Sequence, residues 1–345
     1  MKSYVKVKGI KKFLNHQKFG GIDLTKFSRV PRGEYSILGA ATQSFGSSWF
    51  MTPKGLALFK TYDNDDYIHI RDLRIINELV CMHVLQSLGI RCAEYEPANF
   101  VFEEVDEDYS DGRKRTIYYD GLVTYNVTGI GEQLMPACAL FDGVNYDQFS
   151  LEEISDRLDN LADRGYKFDK DEVMASLFAG VVVDFITKQT DRNGTNINFI
   201  VDEQNNLRVA PMMDNEHSFY TLYMTQDLMY NAAYGKDKDE IDLKHFENMY
   251  RDHTSTCGMS IKTPSQNFTP NMARDIVSFA ISSPQMMDIL KHILGSIDIS
   301  AAIKETESHG ITIPAEYKDF MEHVVHSGVN ELATLLHLAN ESSNA

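Results

Sequence analysis

The 345-residue sequence predicts an α+β fold made of two lobes, a strand-rich one followed by a mostly helical one. Across residues 1–130, short apolar runs alternate with turn residues and only one stretch has helical periodicity. Across residues 131–345, apolar residues recur mainly at helical spacing. Strands and helices that separate along a chain in this way favour two lobes with a cleft between them, and we place the boundary at residue 130.

The first lobe is predicted to contain a short strand, a small-residue loop, a hairpin and one helix. Residues 35–38 form the strand, and the loop 39–48 follows it. The hairpin covers 49–62, because Pro53-Lys54-Gly55 supplies a turn between two apolar runs. Helical spacing of apolar residues predicts a helix over 71–88, which Gly89 ends.

A second hairpin and a helical region complete the predicted elements. The hairpin spans residues 95–127 and has an acidic tip that we interpret as solvated. Helices are predicted over 151–161, 171–189 and 317–339, with a tight hairpin over 199–209.

Composition excludes several classes of protein. The formal charge of -17 disfavours direct binding to nucleic acid or to an anionic membrane. The four cysteines are scattered with no Cys-x-x-Cys pair, which argues against a zinc site or a disulfide framework. No signal-peptide core or membrane span is visible, so we expect a cytoplasmic protein, although a signal for a specialised export machine would not be visible either.

The strongest chemical signal is the segment from Asp191 to Asn196, which follows a long apolar helix and precedes a hairpin. Protein kinases use this Asp-x-x-x-x-Asn spacing: the Asp takes the proton of the acceptor hydroxyl and the Asn binds Mg²⁺. Asp214 follows the hairpin, where a second metal-binding carboxylate is expected. Asp, Asn and Gly also form ordinary turns, so the motif depends on this context.

A lysine and a glutamate could complete a phosphate site. Lys60 lies in an apolar strand, from which an ammonium group can reach the α- and β-phosphates of ATP. Glu78 lies in the following helix and could pair with Lys60 if that helix packs on the sheet. A solvated lysine and a solvated glutamate are the commoner case for any single pair.

The loop 39–48 is rich in small residues, which let backbone N–H groups approach phosphates. It contains neither a Walker motif nor Gly-x-Gly-x-x-Gly. A plain surface turn therefore remains the alternative for this segment.

Three segments resemble the HipA-like serine/threonine kinases, and within them the short CtkA-type kinases. The first runs from Gly39-Ala40 to Lys60, and the second from Asn77-Glu78 to Gly89-Ile90. The third is Asp191-Arg192 to Asn198, followed by Asp214. The resemblance implies a protein-kinase-like fold and a requirement for ATP and Mg²⁺.

The resemblance also implies residue roles. Asp191 would be the catalytic Asp, Asn196 and Asp214 would bind Mg²⁺, and Lys60, positioned by Glu78, would bind the phosphates of ATP. The nucleotide would further be bound by these residues of the ATP loop and of the adenine-binding backbone: Gly39, Ala40, Ala41, Thr42, Gln43, Ser44, Val123 and Tyr125. In this family a serine of the ATP loop can be autophosphorylated, and the candidates are Ser44, Ser47 and Ser48.

Two positions depart from the family pattern. Asn193 stands where the family has His, and Asn215-Glu216 follows Asp214 where a Gly is expected. The Asp191, Asn196 and Asp214 set is complete, so the sequence does not indicate a pseudokinase.

The predicted function is phosphoryl transfer from ATP to a protein serine or threonine, including the protein's own. Three alternatives stay open: a lipid or small-molecule kinase of the same fold, a non-catalytic binding module, and transfer of AMP instead of phosphate. The resemblance further implies a small DNA-binding antidote protein as a partner, although short relatives act alone.

Overall fold

The computed structural model describes residues 6–8, 21–30, 47–61, 71–105, 114–141, 149–221, 240–242, 259–262 and 271–343. The predicted strand 35–38 and most of the small-residue loop, residues 39–46, lie outside these ranges. None of the described helices combines the length and the apolar character that crossing a bilayer requires.

A six-stranded sheet forms the N-terminal part of the fold. Its strands are β2 (Ile22–Asp23), β3 (Ser28–Arg29), β4 (Ser47–Thr52), β5 (Gly55–Thr61), β6 (Tyr95–Val105) and β7 (Lys114–Tyr125), preceded in the chain by β1 (Lys6–Lys8). The order across the sheet is β2-β6-β7-β5-β4-β3. The β2–β6 pair is parallel and the other pairs are antiparallel. Both predicted hairpins are therefore confirmed, and β5, the strand with Lys60, lies between β7 and β4.

Helix α1 (Arg71–Ser87) is the single helix of the N-terminal part that the sequence predicts. It ends in a Schellman motif: Gly89 adopts φ +69°, and the N–H of Ile90 donates to the carbonyl of Leu85 at 2.9 Å. Two residues further on, Cys92 forms an isolated parallel bridge with Met212. The carbonyl of Met212 accepts from the N–H of Ala93 at 2.8 Å. The end of α1 is thereby joined to the segment that carries Asp214.

The C-terminal part contains seven described helices and several short strands. The helices are α2 (Ala137–Leu140), α3 (Leu151–Asp163), α4 (Lys170–Thr187), α5 (Met272–Ile281), α6 (Pro284–Ser296), α7 (Ile299–Ser308) and α8 (Ala315–Ser343). The strands are β8 (Glu132–Pro136), β9 (Phe149–Ser150), β10 (Asn198–Asp202), β11 (Leu207–Val209), β12 (Glu240–Asp242) and β13 (Met259–Ser260). Strand β10 pairs with both β11 and β8, which confirms the predicted tight hairpin.

Side-chain caps set where the central helices begin. The Ser150 hydroxyl accepts from the N–H of Glu153 at the start of α3, and the Asp169 carboxylate accepts from Glu172 at the start of α4. Most of α4 is buried, as its apolar sequence on every side requires. It ends at Lys188 in the left-handed conformation, φ +55°, which turns the chain sharply into the predicted catalytic loop.

The main hydrophobic core is continuous between α1 and the C-terminal helices. It includes Leu79 and Leu85 of α1, Phe178 of α4 and Phe320 of α8. A smaller cluster around Phe50 and Phe59 covers the sheet separately. Helix α1 therefore shares its core with the helical part of the chain. The division at residue 130 stays a prediction.

Candidate active site

Gln189 joins the two predicted catalytic segments. Its side-chain oxygen accepts from the N–H groups of Thr190 at 2.8 Å and Asp191 at 3.1 Å. Its side-chain nitrogen donates to the carbonyl of Asp214 at 2.8 Å. One buried amide thus holds the backbone of Asp191 and the backbone of Asp214 side by side, although they are 23 positions apart in the chain.

The Asp191 carboxylate is oriented by two amide side chains of its own loop. Asn193 donates to Oδ1 at 3.0 Å, and Asn196 donates to Oδ2 at 3.3 Å. Burial raises the pKa of Asp191 while the nearby His217 lowers it. The Asp191 side chain is still 37% exposed, so it is accessible from solvent.

Asn196 is oriented by the same loop. Its Nδ2 also donates to the backbone carbonyl of Asp191 at 2.6 Å. Because the amide nitrogen faces Asp191, the amide oxygen is the atom left to coordinate a cation. This is the orientation that the predicted Mg²⁺ ligand requires.

Arg192 locks the loop against the segment around Asp214. Its guanidinium binds both oxygens of Asp184, at 2.9 and 3.1 Å. It also donates to Asn215 Oδ1 at 2.6 Å and to the carbonyl of Met213. Since both Arg192 and Asp184 are buried, this fork fixes the positions on either side of Asp214.

The segment after Asp214 is anchored from α1. Asp214 itself adopts φ +59°, and its N–H donates to the hydroxyl of Tyr95 at 3.3 Å. The Asn77 amide donates to the carbonyls of Glu216 at 3.1 Å and Ser218 at 3.0 Å. The hydroxyl of Tyr317 in α8 donates to Asn77 Oδ1 at 2.6 Å, so the C-terminal helix supports the same network.

Lys60 lies among three carboxylates. Its Nζ contacts Asp214 Oδ1 directly, Glu216 at 3.2 Å and Glu78 at 3.8 Å. The structure thus brings the predicted Lys60–Glu78 pair together, but Asp214 and Glu216 are the nearer partners. Burial, together with the charges of Asp214 and Glu216, raises the pKa of Glu78 to about 7 against the attraction of Lys60.

The two predicted adenine-binding positions differ in their backbone environment. Val123 lies opposite Glu96 within the β6–β7 ladder. The N–H of Asn126 donates to the carbonyl of Leu56 at 2.9 Å, so the backbone groups of Asn126 face β5. Because backbone groups alternate in direction along an antiparallel strand, those of Tyr125 face the β6 side. The β6–β7 ladder ends one residue before Tyr125. Tyr125 is therefore the better placed of the two to meet a ligand.

The predicted ATP loop is described only at its end. Gly39, Ala40, Ala41, Thr42, Gln43 and Ser44 lie outside the described residues. Ser47 begins β4 opposite Lys60. The hydroxyl of Ser48 is buried and accepts from Arg29 at 2.7 Å. The role of the loop and the choice of modified serine stay predictions.

Several residues of the site were not predicted from the sequence. Glu216 appeared only as a departure from a family pattern, yet its carboxylate contacts Lys60. His217, which lacks metal-ligand spacing in the sequence, lies with Nε2 at 3.9 Å from Asp191 Oδ2. Gln189 carries no motif and Asn77 only begins a family-like segment, so their hydrogen bonds reveal their role.

Comparison with known proteins identifies the fold. No protein-family model matches the chain, and no curated protein matches it. Among solved structures, the Helicobacter pylori proinflammatory kinase CtkA aligns over 94% of this chain and 99% of its own, with a TM-score of 0.61 and 13% identity. This chain has the fold of the CtkA kinase. The predicted α+β, two-lobed, kinase-like fold and the resemblance to CtkA-type kinases are thus confirmed at the level of structure.

Two further solved structures show weaker similarity. HipA of Shewanella oneidensis, in a complex with HipB and operator DNA, aligns over 96% of this chain and 75% of its own at 13% identity, with a TM-score of 0.47. The choline kinase LicA of Streptococcus pneumoniae aligns over 88% of this chain and 96% of its own at 11% identity, with a TM-score of 0.19. Neither likeness is close enough to support an argument about the site.

Proposed function

We propose that the protein transfers the γ-phosphoryl group of ATP to a serine or threonine hydroxyl of a protein, including its own, with the help of Mg²⁺. The observation that carries this proposal is the Gln189 bridge. It holds Asp191, a partly exposed carboxylate that can accept a proton, beside Asp214, which contacts Lys60. Phosphoryl transfer needs a base, a metal-binding carboxylate and a phosphate-binding cation in one place.

The donor atoms around Asp214 fit Mg²⁺. Asn196 offers its amide oxygen and Asp214 its carboxylate, and hard divalent cations prefer such oxygen ligands. When bound together with ATP, Mg²⁺ would neutralise charge on the phosphates. Hydrogen bonds to Asp191 hold Asn196, and the Gln189 bridge holds the backbone of Asp214, so both candidate ligands are in place without that ion.

Lys60 is proposed to bind the phosphates of ATP. Its ammonium lies on the sheet beside Asp214, and Glu78, anchored in α1, limits how far it can turn away. Tyr125, at the end of the β6–β7 ladder, is proposed to bind the adenine edge through its backbone. A nucleotide bound by these residues would lie between the sheet and the loop that carries Asp191.

Asp191 is proposed to accept the proton of the acceptor hydroxyl. Asn193 and Asn196 hold its two oxygens by donated hydrogen bonds, so the carboxylate is preoriented. The proton leaves the hydroxyl oxygen as that oxygen forms its bond to phosphorus, and ADP leaves. Asn193 can donate to the carboxylate but cannot itself take up the proton.

The test is incubation with γ-labelled ATP and Mg²⁺, followed by mapping of labelled residues. We compare wild type with Asp191→Asn, which keeps the shape of the side chain and removes its basicity. Transfer is expected to fall by about 10²- to 10⁴-fold, the usual contribution of a general base. Nucleotide affinity, measured by calorimetry, is expected to stay near that of wild type.

Undiminished transfer by Asp191→Asn would contradict the assignment of the base. An acceptor whose mass rises by an adenylyl group instead of a phosphoryl group would contradict the reaction. Nucleotide binding without turnover on any protein, lipid or small-molecule acceptor would favour the binding module. A small antidote-type partner and a cytoplasmic location stay predictions of the sequence.

A further inference from the structure

Three carboxylates converge beside the proposed nucleotide site, and one of them, Glu216, has no predicted role. Glu78, Asp214 and Glu216 each direct an oxygen atom to a common point, with these atoms all within 4.8 Å of one another. Among the described residues, Lys60 is the cation whose contacts reach all three. Three carboxyl groups thus converge on one ammonium group.

The buried member of this cluster has an unsatisfied oxygen. Glu78 Oε2 accepts the backbone N–H of Asn215, which fixes the carboxylate in α1. Glu78 Oε1 is buried and has no hydrogen-bond partner among the described residues, and Lys60 approaches it only to 3.8 Å. A fully buried carboxylate oxygen without a hydrogen bond is costly, so its orientation into the cluster points to a further cation.

The cluster is held rigidly by contacts outside it. Asn77 holds the backbone of Glu216, and Gln189 holds the backbone of Asp214. Both anchoring amides are buried. Because the backbones of Asp214 and Glu216 are anchored from outside the cluster, a cation that entered would find its ligands already close together.

We propose that Glu216, with Asp214 and Glu78, binds a divalent cation at a site that the Lys60 ammonium occupies when no phosphate draws it away. Carboxylate oxygens select a hard ion of the Mg²⁺ or Mn²⁺ class. Glu216 is absent from the pair Asn196 and Asp214 proposed for the ion bound with ATP, so this is a second site that shares one ligand. The inference rests on the proposed function only in naming ATP phosphates as the group that attracts Lys60.

The experiment titrates Mn²⁺ into the nucleotide-free protein and measures the affinity by calorimetry. Lys60→Met removes the competing ammonium and leaves the three carboxylates. We expect it to bind Mn²⁺ about tenfold or more tightly than wild type, which corresponds to about 1.4 kcal/mol. Adding Glu216→Gln is expected to abolish this gain, whereas adding Glu331→Gln, an exposed carboxylate on α8, is expected to leave it unchanged.

Equal Mn²⁺ affinity of wild type and Lys60→Met would overturn the proposal, because the carboxylates would then converge only to hold the lysine. The same conclusion follows if Glu216→Gln leaves the affinity of Lys60→Met unchanged. Circular dichroism shows whether Lys60→Met folds. If it does not, a non-hydrolysable ATP analogue replaces it as the means of moving Lys60.

In that second experiment, the number of Mn²⁺ ions bound with the analogue is compared between wild type and Glu216→Gln. We expect Glu216→Gln to bind one ion fewer per chain, and equal numbers would overturn the proposal. If the analogue binds to neither protein, the proposed function fails. In that case the cation site is decided with Lys60→Gln, which also removes the ammonium: adding Glu216→Gln is expected to weaken Mn²⁺ binding to the nucleotide-free protein, and an unchanged affinity overturns the proposal.

Discussion

Replacing Glu78 by Gln keeps the side-chain shape and removes the charge that the fold buries in α1. Glu78 is fully buried, and its burial raises its pKa to about 7 in spite of Lys60 nearby. In the unfolded chain the carboxyl returns to its ordinary pKa of 4.5. The folded and unfolded states therefore bind different numbers of protons between these two values.

The direction of the effect follows from that difference. Between pH 4.5 and about 7 the folded protein holds a proton on Glu78 that the unfolded chain has lost. The free energy of unfolding of the wild type therefore falls as pH rises through this window. At about 1.4 kcal/mol for each pKa unit, the difference between the folded and unfolded pKa values lowers the free energy of unfolding by about 3 kcal/mol once the pH exceeds the folded pKa.

The assay is urea unfolding of wild type and Glu78→Gln at about pH 5 and about pH 8. Because Gln does not titrate, the free energy of unfolding of Glu78→Gln does not show this fall with rising pH. The free energy of unfolding of Glu78→Gln relative to wild type is expected to rise by about 2 to 3 kcal/mol from the lower to the higher pH. Glu331→Gln, an exposed change on α8, is the control and is expected to show no such rise.

A difference between wild type and Glu78→Gln that stays constant with pH would refute the reasoning. It would mean that Lys60 compensates the buried charge fully, and that Glu78 is ionised in the folded protein throughout this range. The unsatisfied oxygen of Glu78 would then no longer indicate a missing cation.

Two further substitutions test how the site is built. In Gly121→Ala, the new Cβ would lie 2.1 Å from the backbone oxygen of Lys60, so thermal unfolding is expected to show a loss of about 1–3 kcal/mol. In Gly295→Ala of α6, the new Cβ meets no atom within 4 Å beyond its chain neighbours and its own helix backbone, so a stabilisation of roughly 0.5–1 kcal/mol is expected instead. A similar loss in both variants would contradict the argument. Arg192→Ala leaves Asp184 buried without its partner, so urea unfolding is expected to show a free energy of unfolding lower by about 3–5 kcal/mol. Little or no loss would mean that water replaces the guanidinium.

Local sequence patterns predicted the elements well because their causes are local. The turn residues between β4 and β5 predicted that hairpin, and Gly89 predicted the end of α1. The apolar sequence of α4 and the polar residues after it predicted a buried helix followed by a loop. Each of these features depends on residues within a few positions of one another.

The polar partners of the site could be predicted only in part. Lys60 and Glu78 were expected to pair, and they do lie within 3.8 Å. The stronger contacts of Lys60, with Asp214 and Glu216, were not expected. No short-range pattern links Lys60 to Glu216, because 156 positions separate them.

The sequence by itself predicted the two hairpins of the sheet, helix α1, the long helices α3, α4 and α8, and a polar loop from Asp191 to Asn196 with the residue types that phosphoryl transfer needs. Only the tertiary structure decided that Gln189 joins this loop to Asp214, and that Glu216 enters the carboxylate cluster around Lys60. The physical reason is that turns and helix ends depend on neighbouring residues. Buried hydrogen bonds and ion pairs depend on which distant segments the hydrophobic core brings together.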